Sequence, residues 1–117
     1  MPQVSITGDA LRELRDRMAR YAFPTGILVT GPMAEDCRAP DSVEEAWLLE
    51  KLYGRPQRWV LEIAPLSELA EQPVDPGETL HVEEVSGISV GVLTSKTVQR
   101  LSIELHGDAI RVCEIDA

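Results

Sequence analysis

Two hydrophobic rhythms run through this chain. Val4-Ser5-Ile6 alternates like a short strand, and Thr7 stands where a helix N-cap would accept a hydrogen bond from a first-turn amide. Leu11, Leu14, Met18 and Tyr21 then recur at spacings of three and four among charged residues, which predicts an amphipathic helix over residues 8–22, stopped by Pro24, with Met18 and Tyr21 in the core. Ile27-Leu28-Val29 is a continuous apolar run between Gly26 and Gly31-Pro32, the pattern of a strand covered on both faces. After the loop MAEDCRAP, Ser42-Val43-Glu44-Glu45 has the form of a capping box. Val43, Ala46, Trp47, Leu49 and Leu52 continue with helical spacing, so a second helix is predicted over residues 42–53, closed by Gly54.

The later part of the chain reads differently. Trp59, Leu61 and Ile63 fall on one face of a predicted strand. Pro65, Pro73 and the turn Asp75-Pro76-Gly77 make the next segment a connection with at most a short helical turn. Residues 80–85 and 88–93 flank Ser86-Gly87 as a hairpin, and residues 102–105 and 109–112 flank His106-Gly107-Asp108 as another. Between the hairpins, residues 94–100 are polar and are read as a helical turn carrying Val98 and Leu101 inward. Two early helices followed by strands, without strand–helix alternation, define an α+β fold: a small single domain with a mostly antiparallel or mixed β-sheet and both helices in the N-terminal half.

Composition narrows the class of partner. The 117 residues include 44% hydrophobic and only 4% aromatic side chains, so the core must be built from Leu, Ile, Val and Ala. A formal charge of -9 repels phosphate backbones and anionic lipid, which argues against nucleic acid and membrane partners. There is no long apolar run and no basic-then-apolar leader, so a cytoplasmic location is expected. Cys37 and Cys113 match no zinc-knuckle spacing and are expected to be reduced.

Phosphate-cradling glycine loops, serine nucleophile elbows and H-E-x-x-H are all missing from the sequence. Candidate chemistry therefore rests on scattered residues. His81 and Glu83 sit at i and i+2 of a predicted strand and share a face, as two ligands of a divalent metal would; His106 and Asp108 are placed to meet in a turn. The plainer view makes His81, Glu83 and Glu84 the solvated face of a strand whose other face is Leu80, Val82 and Val85. Cys37 lies between Asp36 and Arg38, with Glu35 close by, and neighbouring carboxylates disfavour a thiolate; the helix predicted from Ser42 is the one nearby feature that would favour it. Cys113, in the last predicted strand, reads as a small hydrophobe. Trp47 and Tyr53 are either core or a patch for a protein partner or for self-association.

The succession VSITGDALRELRDRM, GILVTG, a cysteine-bearing loop, then PGETLHVEEVSGISVGVLTSKTVQRLSIELHGDAIRV resembles the HesB-like family of A-type iron-sulfur carriers over most of the chain. The resemblance implies a HesB-like fold and places Cys37 near the first of three cluster-binding cysteines. The chain departs from the family in lacking the glycine-rich C-x-G surroundings of Cys37 and the C-terminal C-G-C, since it reads RVCEIDA there. A single thiolate per chain does not hold a cluster without shared ligands, so iron-sulfur binding is expected to be lost or altered. FPTGILVTG and PGETLHVEEVSGISVGVL are also similar to strand segments of the fumarylacetoacetate-hydrolase family, whose acidic metal ligands have no counterpart here. Three expectations follow: a non-enzymatic accessory or binding protein of HesB-like type; an interaction module of unrelated α+β fold that uses Trp47 and Tyr53; or a small metal-dependent hydrolase or lyase-like protein that uses His81 and Glu83.

Overall fold

The computed structural model describes residues 3–34 and 57–115. In chain order the elements are β1 (Gln3–Ile6), α1 (Gly8–Met18), β2 (Thr25–Ala34), β3 (Gln57–Pro65), α2 (Leu66–Leu69), β4 (Thr79–Val85), β5 (Ile88–Thr94), β6 (Arg100–His106) and β7 (Ala109–Glu114). The helix predicted over residues 42–53 lies outside the described residues, as do Cys37, Trp47 and Tyr53. The second described helix, α2, is the short turn expected after Pro65 and belongs to the second half of the chain.

The strands form two mixed sheets. One has the order β1-β6-β7, with β1 parallel to β6 and β7 antiparallel to it; the other has the order β3-β2-β5-β4, with β2 and β5 parallel and both outer pairs antiparallel. The sheets and α1 enclose the main core of Val4, Ala10, Leu14, Ile27, Val29, Val90, Val92, Leu101 and Ile103, with Trp59 and Leu61 packed on its margin. Fully burying one such aliphatic side chain contributes about 1.5–3 kcal/mol, so a core nearly free of aromatic rings still has ample driving force. A smaller core on the far side of the four-stranded sheet joins Leu28, Ala64 and Leu93 to Leu69 of α2. Sandwiched between the two, β2 and β5 are apolar on both faces, as the unbroken run in β2 predicts.

Several expectations need correction. Helix α1 ends at Met18 rather than residue 22, and Tyr21 is 44% exposed, with its ring edge-on to Phe23 at a centroid distance of 5.6 Å. Thr7 occupies the N-cap, but its hydroxyl donates to Asp9 Oδ1 at 2.7 Å, and the Asp9 carboxylate accepts the Ala10 N–H at 2.9 Å. Capping has thus passed to an acidic first-turn residue, which also favours the positive end of the helix dipole. Strand β2 runs through Gly31-Pro32, joined by a cis peptide bond, with its pairing to β3 shifted between Thr30 and Met33. Residues 95–99 form bends rather than a helical turn, although Val98 and Leu101 are buried as expected.

The largest correction concerns β4. Val85 pairs with Ile88, Glu83 with Val90 and His81 with Val92, so His81 and Glu83 lie on the core-facing side with Val85, at the sheet's edge. Leu80, Val82 and Glu84 take the other side, where Val82 is 39% exposed. Backbone register overrode side-chain polarity because Val85, which packs on the main core, fixes the parity of the strand.

Candidate functional site

The outer face of the three-stranded sheet gathers the chemistry. On β6 the core takes Leu101 and Ile103, and the alternation turns Ser102, Glu104 and His106 to the opposite side. Strand β7 pairs Cys113 with Ser102, Arg111 with Glu104 and Ala109 with His106, so those side chains share that outer face. His106 Nε2 lies 3.2 Å from Glu104 Oε1. One ligand atom from each of Glu104, His106 and Cys113 falls within 4.8 Å of the other two, the only such set of three His, Cys, Asp or Glu residues among those described. Gly107, with φ +67, allows the tight reversal that brings the strands into this register.

Cys113 is a free, half-buried thiol. Burial pushes its pKa above the ordinary value of 9.0, the Glu104 carboxylate adds to the rise, and the Arg111 guanidinium opposes both. Without a bound cation the group is therefore a neutral thiol at pH 7, which agrees with its reading as a small hydrophobe. Asp108 does not partner His106: Glu104 takes that place, and the Asp108 carbonyl accepts a hydrogen bond from Arg17 Nη2 at 2.8 Å.

The structure does bring His81 and Glu83 together, with His81 Nε2 3.7 Å from Glu83 Oε2 and the side chains 25% and 32% exposed. His81 also borders a hollow of about 450 Å³ shared with Thr79, Thr94 and Lys96. No third His, Cys, Asp or Glu among the described residues joins the pair. Glu104 and Cys113 were missed as partners of His106 by sequence reasoning. The available signal was the predicted second hairpin itself, because counting pairs outward from its Gly107-Asp108 turn places residues 104, 106 and 113 on one face.

A separate apolar feature lies at the far end of α1. Phe23 and Leu66, 48% and 42% exposed, border a hollow of about 450 Å³ together with Pro24 and Pro65. Among the described residues no helix is long and apolar enough to cross a membrane. Comparison with protein-family models, with curated proteins and with solved structures finds no match.

Proposed function

We propose that the chain is a small binding or accessory domain of HesB-like type whose cluster-carrying function has been lost or altered. The observation that carries this is the succession of elements. A strand, a threonine N-cap and an amphipathic helix come first; later an acidic strand turns through Ser86-Gly87 into β5, and a serine-containing connection leads to Leu101 and the closing hairpin. This is the order on which the sequence resemblance rests. Cys113 stands within β7 beside Glu104 and His106, a different ligand environment from a C-G-C motif.

Anaerobic reconstitution with iron and sulfide tests this function. The expected result is protein that shows no visible charge-transfer absorption after desalting. A stable chromophore abolished by Cys37→Ser would overturn the loss of cluster carriage.

A protein partner is the second reading, favoured by the exposed Tyr21, Phe23 and Leu66 side chains, since grouped apolar rings at a surface mark contact sites. Light scattering on the full chain, with and without Phe23→Ser, tests self-association there. A monomer unaffected by the change counts against it.

A further inference from the structure

We propose that Glu104, His106 and Cys113 form a divalent-metal site on the outer face of the β6–β7 hairpin, with zinc as the ion their donor set fits. This stands apart from the HesB-like assignment and requires neither Cys37 nor inorganic sulfide.

Three observations converge. The first is donor chemistry: a carboxylate oxygen, an imidazole nitrogen and a cysteine sulfur are the three ligand types that zinc takes. A thiolate with an imidazole disfavours magnesium and calcium, which prefer oxygen. The second is spacing. Zinc–ligand bonds of about 2.0–2.3 Å at tetrahedral angles separate neighbouring ligand atoms by roughly 3.3–3.8 Å. The His106 Nε2 to Glu104 Oε1 distance of 3.2 Å is already close to that range, and the remaining ligand atoms, within 4.8 Å, need to close by about 1.5 Å at most. His106 is 49% exposed and Glu104 35%, so side-chain rotation can supply that movement without disturbing the core.

The third observation is the platform. Glu104, His106 and Cys113 are fixed by six consecutive β6–β7 pairs running from Leu101–Glu114 to His106–Ala109. Three protein ligands leave the fourth tetrahedral position for water or for a ligand from outside. Arg111, cross-strand from Glu104, and Arg100, at the other end of β6, are the two opposing charges on this face among the described residues of β6 and β7; both are exposed, so solvent screens their repulsion. By comparison, His81 and Glu83 offer only two ligands and stand farther apart.

The test uses the full chain stripped with a chelator and titrated with zinc chloride by calorimetry, then with cobalt(II) as a spectroscopic probe. The expected result is one zinc per chain, with cobalt giving an intense tetrahedral visible spectrum and a sulfur-to-cobalt charge-transfer band. Cys113→Ser should abolish the charge-transfer band, and His106→Asn should weaken zinc binding at least about tenfold, since even outer ligand partners carry 10–100-fold. His106 is exposed, so its variant keeps the fold if the cysteine variant does not. His81→Asn and Cys37→Ser should leave binding unchanged. Zinc binding that survives both Cys113→Ser and His106→Asn, binding that is lost instead with His81→Asn, or no binding at all would overturn the proposal.

Discussion

Leu69 lies directly over Gly91: a Cβ added at Gly91 would come within 3.2 Å of Leu69 Cδ1. The same side chain covers Gly26, where an added Cβ would meet Leu69 Cδ2 and the Ser89 carbonyl oxygen, both at 2.9 Å. These two glycines form the notch into which α2 seats its one buried residue.

Substitution in this notch should separate flexible from rigid neighbours. Gly26→Ala meets a backbone carbonyl that has no freedom to retreat and should cost about 1–3 kcal/mol in urea unfolding. Gly91→Ala meets only side chains, and the chain entropy gained, about 0.4–1 kcal/mol, should nearly cancel the crowding. Leu69→Ala should cost about 2–5 kcal/mol and should remove the remaining penalty of Gly91→Ala in the double variant.

Glu114 joins the two sheets at the surface. Its Oε1 accepts the Trp59 Nε1–H at 3.0 Å, and its Oε2 lies 2.9 Å from Lys96 Nζ. Both contacts are solvent-accessible, so Glu114→Ala should lower stability by only about 0.5–1 kcal/mol, read as a shift in urea midpoint with an unchanged slope.

Asp9 makes α1 sensitive to acid. The Thr7 hydroxyl, and after it the Ala10 amide, holds its carboxyl below the ordinary value of 3.8. A depressed native pKa contributes stability that is present above the unfolded value and lost as pH falls through the native one. The difference in thermal midpoint between the parent chain and Asp9→Asn should therefore shrink as pH is lowered below 3.8. A difference that does not change with pH would show that the Asp9 carboxylate contributes nothing specific.

The Ser86-Gly87 turn has φ of 52° and 82°, both positive, as a two-residue type I′ hairpin requires. Ser86→Asn should stabilise the chain by a few tenths of a kcal/mol, because asparagine tolerates this conformation better than serine. The bond that Arg15 Nη2 donates to the Ser86 carbonyl uses only the backbone of residue 86 and should survive the change. Thermal unfolding of the two chains side by side checks it.

Much of this fold was legible wherever a local rule sufficed. Ser86-Gly87 announced its hairpin, Asp75-Pro76-Gly77 its turn, and the spacing of Leu11 and Leu14 its helix. Legibility failed where partners distant in sequence decided the outcome. The polarity of His81 and Glu83 suggested solvent, yet pairing with Val92 and Val90 turned them toward the core. Tyr21 fitted a helical stripe that ends before reaching it. The grouping of Glu104, His106 and Cys113 depends on cross-strand register, which shows in the sequence only when pairs are counted outward from the Gly107-Asp108 turn.

The parallel pairing of β1 with β6 also constrains how the protein is made. Ser5 Oγ donates to the carbonyl of Leu101, 96 positions along the chain, and Val4 pairs with that same residue. Leu14 of α1, a fully buried core residue, shares its core with Leu101 and Ile103 of β6, which are synthesised only after the intervening strands β2 to β5. Pairings this distant close late and slowly. An apolar helix face thus stays uncovered until β6 has been made and has paired, a state prone to misassembly.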